Sequence, residues 1–404
     1  MKRWLEIALG IVTSVGGFLE VGSIATSAQA GAAFGFRLLW AVVLGTVCLI
    51  FLIEMSGRLA AVSHHTIADA MRERFGFDFF LIPLLGVCIV SLLVLASEIG
   101  GVCLALQLLT GVKFPWWALP VGVAAWLLIW KGTFSVIEKG VSLLGLVTVA
   151  FLVAAIVLKP DWRDLLAGLA PRLPEHDGPR YWFLAVSILG ASLTPYLFYF
   201  YSSGAVEDGW GPKELRLNRV VAGIGIAFGG ILAAAVLVVA TLVFQPRGIQ
   251  VEQYEQAALL LVEPFGFAGF LLFAIALGIA CFGAALEITL ALAYLVAQGF
   301  GWSWGENLRP RQAARFASVY TALLILATLI TLVGIEPMKL TLLAMALTAA
   351  TLPIAVIPFL LIMNDRHYLG EHTNGWLGNG VVVFVIALAF VLALISIPLE
   401  IVAG

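Results

Sequence analysis

Gly17-Phe18-Leu19-Glu20-Val21-Gly22-Ser23-Ile24-Ala25-Thr26 sets a carboxylate and a glycine in the middle of an apolar run that extends from about residue 4 to residue 34. A charge at mid-bilayer depth costs about 3 kcal/mol or more, so it is kept chiefly where it faces water, a partner or a substrate. The run is long enough to cross a bilayer, and the glycine beside the carboxylate marks a place where the helix can open. A second interruption lies at Thr194-Pro195-Tyr196-Leu197, inside the apolar run 181–204, where the proline lacks the amide that would continue a helix.

Outward from these two breaks the chain reads as helices in lipid. Of its 404 residues 62% are hydrophobic and 11% charged, against about half and about a quarter in soluble domains. The mean hydropathy is +1.06. Hydrocarbon offers no partner to backbone polar groups, so apolar runs of this length form helices, and the alternation of a barrel is missing. Spans are expected near 4–34, 38–62, 79–109, 116–131, 137–158, 181–204, 219–244, 267–298, 312–333, 340–363 and 378–401. A short amphipathic helix, opened by Thr66 with Asp69 three residues on and closed by Gly76, follows the second span.

These about eleven spans form one transmembrane domain with two five-helix halves, about 4–158 and 181–363, and an extra helix at about 378–401. The first and sixth spans then become counterparts in an inverted repeat, and both are broken. Half-helix ends and freed carbonyls at such breaks are how transporters of this architecture hold ions and small solutes. With the N-terminus cytoplasmic, most of the 22 Lys and Arg residues, among them Arg58, Arg72, Arg74, Lys213, Arg216 and Arg219, fall inside. The C-terminus then lies outside, and an integral protein of the plasma (inner) membrane is expected.

Other function classes lack a basis. The net charge of -2 and the absence of basic runs interleaved with aromatics exclude nucleic acid. No Walker lysine loop, H-E-x-x-H or G-x-S-x-G is present, so the chain is not read as an enzyme, and no cofactor is implied. Cys48, Cys88, Cys103 and Cys281 stand singly in apolar runs and read as packing residues. Glu54 and Arg58, four apart near a helix end, read as an ordinary ion pair. His64 and His65 border a loop and read as solvated.

At the two breaks the chain resembles the Nramp family of proton-coupled divalent-metal transporters, which implies a LeuT-type fold. The stretch 17–26 with Gln29-Ala30-Gly31-Ala32 is similar to the family's first helix around its Asp-Pro-Gly-Asn motif. Glu54-Met55-Ser56-Gly57-Arg58-Leu59, Lys159-Pro160-Asp161-Trp162, Leu217-Asn218-Arg219 and Leu352-Pro353-Ile354-Ala355-Val356-Ile357-Pro358 with Asp365-Arg366 follow in matching order.

The ligand positions depart from that pattern. The family's Asp and Asn become Glu20 and Ser23, its Met-Pro-His-Asn becomes Thr194-Pro195-Tyr196-Leu197, and a second family histidine falls at Tyr201. Carboxylate, hydroxyl and carbonyl oxygens suit Mg²⁺, Ca²⁺ and Mn²⁺, whereas thioether and imidazole suit later transition metals. The expected site is therefore Glu20, Gly22, Ser23, Thr194, Pro195 and Tyr196, with Glu20, Ser23 and Thr194 toward a hard, partly hydrated metal such as Mg²⁺ or Mn²⁺.

Glu98 matches an acidic family position, the family's aspartate one turn earlier falls at Leu95, and Arg315 matches an arginine of the same proton route. With Glu287, the one charge of the eighth span's middle, Glu98 and Arg315 are the expected coupling residues. The expected partners are thus the transported ion or solute, a coupled proton and the lipid bilayer. A non-metal cargo such as bicarbonate is the alternative, since hydroxyls and half-helix amides could cradle an oxyanion if Glu20 were protonated or paired with a cation.

Overall fold

The computed structural model describes residues 20–131, 146–174, 176–305 and 308–403, and every regular element among them is helical. Residues 4–19 of the expected first span and 137–145 of the fifth lie outside the described residues, as do Gly17, Phe18 and Leu19.

In chain order the principal helices are α1 (Val21–Phe34), α2 (Leu39–Ser63), α3 (Ile67–Phe75), α4 (Phe77–Thr110), α5 (Pro115–Lys131), α6 (Val149–Val157), α7 (Gly178–Ser192) and α8 (Pro195–Glu207). They continue with α9 (Ile226–Val243), α10 (Phe267–Gly299), α11 (Ala314–Leu332), α12 (Pro337–Met363) and α13 (Trp376–Ala403). A π turn at Val221–Gly225 leads into α9. Among the described residues eight continuous helical stretches are long and apolar enough to cross a membrane, and one of them, Val21–Ser63, holds two expected spans joined by the tight turn Gly35–Leu38. The 17-residue α5 and the described part of the fifth span supply the remainder.

Local chemistry explains where the helices start and stop. Thr66 caps α3 by accepting from the Asp69 amide, as the sequence predicts, and Gly76 ends it with φ +86°, a conformation open to glycine. Pro195 stands at the first position of α8, where its missing N–H would have no helical partner anyway. The proline therefore marks the start of a new helix after Leu193 and Thr194 leave helical geometry.

α1 packs against α9, α7 and α12; α4 packs against α10 and α12; α8 lies between α2 and α10. α13 sits outside this core, on α12, α7 and α2. Two glycines let α12 close on both broken helices at one residue. A Cβ at Gly22 would overlap the Met345 side chain, and a Cβ at Gly190, just before the second break, would overlap the Met345 carbonyl oxygen. Large apolar side chains such as Ile82, Ile89, Phe384 and Leu394 stay exposed on the outer helix faces, which is the surface a lipid solvent requires.

Candidate functional site

The N-terminal end of α1 meets the break before α8. Glu20 is the N-cap of α1 in extended conformation and is fully buried. The Tyr196 hydroxyl, in the first turn of α8, donates to Glu20 Oε2 at 2.7 Å. Among the described residues Glu20 Oε1 is buried with no hydrogen-bond partner. Thr194, the N-cap of α8, makes no side-chain cap bond, and its Oγ1 is likewise buried and unpartnered. Leaving a buried carboxylate oxygen and a hydroxyl unmatched costs about 1–3 kcal/mol each. Such a cost persists where an incoming ligand supplies the missing partner.

A second carboxyl group supports the first. The Val21 amide donates to the Glu98 carboxylate of α4, at 3.1 and 3.4 Å to its two oxygens. The Cys281 thiol of α10 lies beside the same carboxylate. Glu20, Glu98 and Glu287 all lie within electrostatic reach of the Tyr196 hydroxyl. Among the described residues neither Glu20 nor Glu98 has a lysine or arginine at ion-pair distance. Two adjoining buried carboxylates without basic partners are held together only if positive charge joins them, as a metal ion or as protons.

Ser23 is buried in the first turn of α1. Gly22 also lies within α1, and Thr26 Oγ1 donates to its carbonyl oxygen at 2.8 Å. Among the described residues α1 begins at Val21 with Glu20 extended before it, and Gly22 serves the close approach of Met345. Arg315 is not brought to the cluster. It is exposed at the start of α11, with its guanidinium 5.5 Å from the centre of the Trp302 ring.

Two members of the site were invisible to sequence reasoning. Tyr254, from the segment between α9 and α10, is fully buried and its hydroxyl lies 3.4 Å from the Val21 carbonyl oxygen and 3.2 Å from Thr341 Oγ1. Cys281 was read as packing only, and its contact with Glu98 gives it a polar role. No local pattern announces either; both depend on residues distant in the chain. All four cysteines are free.

Other expected features stand apart from the cluster. Glu54 pairs with Arg58 at 3.1 Å near the end of α2. His65 is half-exposed and meets Glu73 at 3.1 Å. Among the described residues no three His, Cys, Asp or Glu side chains converge closely enough to chelate a metal by themselves. A cation at Glu20 would therefore draw on hydroxyl and carbonyl oxygens or keep part of its water shell.

A family model described as natural resistance-associated macrophage protein-like matches residues 10–398. The divalent metal cation transporter MntH of Deinococcus radiodurans is 28% identical over 365 residues, which cover 87% of this chain and 80% of that protein. The crystal structure of the Eremococcus coleocola manganese transporter bound to an aromatic bis-isothiourea compound superposes with a TM-score of 0.79 at 18% identity, over 97% of this chain and 85% of that one. Mhp1, a nucleobase-cation-symport transporter, superposes at 0.62 and 15% identity, over 96% and 91% of the two chains. These likenesses establish the LeuT-type fold.

Proposed function

The chain belongs to the Nramp family, and from that premise we propose that it is an alternating-access carrier that moves a hard divalent cation, Mn²⁺ or Mg²⁺, through the site at Glu20. The observation that carries this reading is the pair of orphaned, buried oxygens, Glu20 Oε1 and Thr194 Oγ1, at the meeting point of the two broken helices. The relative named above as MntH is a divalent metal cation transporter, and one of the two fold neighbours is a manganese transporter. An all-oxygen donor set at this point favours Mn²⁺ and Mg²⁺ over later transition metals.

In this mechanism Glu20 supplies the charged ligand, and Thr194 and Ser23 supply neutral oxygens from the two half-helices. Tyr196 orients the carboxylate through Oε2 and leaves Oε1 toward the cargo. Glu98 holds the Val21 amide, and with it the position of Glu20. Glu98 and Glu287 are the groups beside the site that take up a proton as the metal leaves; Arg315 lies too far out, on Trp302, to act on them directly. The basic end of the bundle faces the cytoplasm of a plasma-membrane protein, and uptake is the direction.

The anion alternative finds no support. At the amide end of α1 that would attract an oxyanion, the Val21 amide is already taken by the Glu98 carboxylate. An oxyanion would enter beside two carboxylates with no basic side chain of the described residues to meet it.

Flux into proteoliposomes holding an indicator for Mn²⁺ and Mg²⁺, at a fixed membrane potential, tests the reading. Entry in the wild-type chain that disappears in Glu20→Ala is expected. Equal entry in the two, or none in either while an added anion crosses, would sink it.

A further inference from the structure

At the basic end of the bundle, away from the broken helices, a cavity of about 460 Å³ opens between α2 and the peripheral helix α13. Its size falls within the roughly 300–1,000 Å³ of ligand sites. The floor is apolar, made by Ile50, Phe51 and Met55 of α2; the mouth is polar, made by Glu54, Arg58, Arg219 and Asn374. Gly378 keeps the floor open, since a Cβ there would come within 3.1 Å of Met55 Cε.

The charges at the mouth do not balance. Glu54 serves both guanidinium groups, Arg58 at 3.1 Å and Arg219 at 3.7 Å. One carboxylate against two arginines leaves a net positive charge. Arg58 also donates to the His372 carbonyl and to Asn374 Oδ1, each at 2.6 Å, while its Nε is buried without an acceptor. The Arg219 contact is longer than the about 2.7–2.9 Å of a charge-assisted hydrogen bond. Its side chain is 66% exposed, so the guanidinium can turn toward a second anion.

Position completes the argument. α13 is a peripheral helix, with Leu377, Val383 and Phe384 exposed, and Trp376 beside the mouth is exposed as interface tryptophans are. The cavity therefore opens at the level of the lipid headgroups, apolar inward and cationic outward. We propose that it binds one anionic phospholipid, its phosphate against Arg219 and Arg58 and the start of an acyl chain along Ile50, Phe51 and Met55. The apolar floor assigns the site to a lipid, because a free phosphate ion has no use for it. Basic pockets between helices at this level are the places where anionic headgroups dock. The proposal is independent of the cargo at Glu20.

Native mass spectrometry of the full chain in detergent, titrated with phosphatidylglycerol or phosphatidylcholine, tests it. One phosphatidylglycerol is expected to be retained in preference to phosphatidylcholine. Arg219→Ala should weaken that retention about fivefold, and Arg216→Ala, exposed on the same segment but outside the cavity lining, should leave it unchanged. Gly378→Val, which fills the floor without altering charge, should also release the lipid. Equal retention of the two lipids, an Arg216→Ala loss as large as that of Arg219→Ala, or displacement by inorganic phosphate at equal concentration would overturn it.

Discussion

Glu20 and Glu54 are glutamates on adjoining helices, and their surroundings are opposite. Glu54, at the basic end, has Arg58 and Arg219 beside it and is joined there by Arg74 with Asp365 at 2.9 Å and by Arg72, which donates to the Gln298 carbonyl at the end of α10 at 3.0 Å. Among the described residues Glu20 has a tyrosine hydroxyl for its carboxylate, and its neighbour Glu98 a backbone amide with a thiol beside it. Arginine-paired acids tie helices together and need nothing further. Acids held by neutral donors keep an electrostatic demand that a diffusible cation can satisfy. The contrast separates a latch from a cation site within one bundle, although both are glutamates in the same kind of apolar sequence.

The sharpest way to break that contrast is to neutralise each glutamate in turn. Glu20→Gln keeps size and shape and is expected to lower Mn²⁺ flux more than about 100-fold, since removing supporting groups alone costs about 10–100-fold at metal sites. Glu54→Gln should hold flux within about twofold and instead lower the unfolding midpoint, by the about 1 kcal/mol of a partly buried ion pair. Proteoliposome uptake and thermal unfolding of both variants decide it. If both lose flux alike, the distinction between the two regions fails.

The next effect is on packing. Gly190→Ala places a methyl group on the Met345 carbonyl, where backbone meets backbone and nothing flexible can yield. Overpacking of this kind costs about 1–3 kcal/mol. Gly22→Ala meets only the far end of the Met345 side chain, so it should destabilise less in the same thermal assay. Equal midpoints for Gly190→Ala and the wild type would show that α12 is not fixed at this crossing.

The architecture was largely legible in sequence because its signals are local. Apolar runs, Pro195 and the Thr66 cap each announce an element within a few residues, and the expected spans match α2, α4, α10 and α12 to within a few positions. The two-sided nature of the site was not legible. The Glu98 bond to Val21 joins residues 77 apart in the chain, and the Tyr254 bond to the Val21 carbonyl joins residues 233 apart. Family likeness pointed to Glu98, whereas Tyr254 had no such pointer. The need of Gly22 for space was hidden for the same reason, since it comes from Met345 on α12.

Tyr254→Phe probes that hidden side of the site. The ring keeps its packing while the bonds to Val21 and Thr341 are lost, and Thr341 retains the Pro337 carbonyl at 2.8 Å. About 1 kcal/mol is at stake, so the apparent KM for Mn²⁺ should rise about fivefold with the maximal rate and the unfolding midpoint little changed. A fall in the midpoint with KM intact would make Tyr254 a packing residue only.

The smallest expected effect belongs to the latch and follows from pH. The His367 amide, helped by Arg74, holds the Asp365 carboxyl below the usual carboxylate range. A lowered folded-state value means that the contribution is complete above the ordinary aspartate range, about pH 4, and is lost as pH falls below it through the lowered value. Asp365→Asn keeps an acceptor for the His367 amide but removes the charge that Arg74 meets. The pair is partly exposed, so the variant should lose about 0.5 kcal/mol or less at neutral pH. Its unfolding midpoint should converge on that of the wild type as pH falls through the lowered Asp365 value, below the ordinary aspartate range, while Glu20-dependent Mn²⁺ flux at neutral pH stays unchanged. A gap between the two midpoints that persists in acid would mean that the tether acts through shape and not through charge, and the basic end would then differ from the Glu20 cluster by less than its ion pairs suggest.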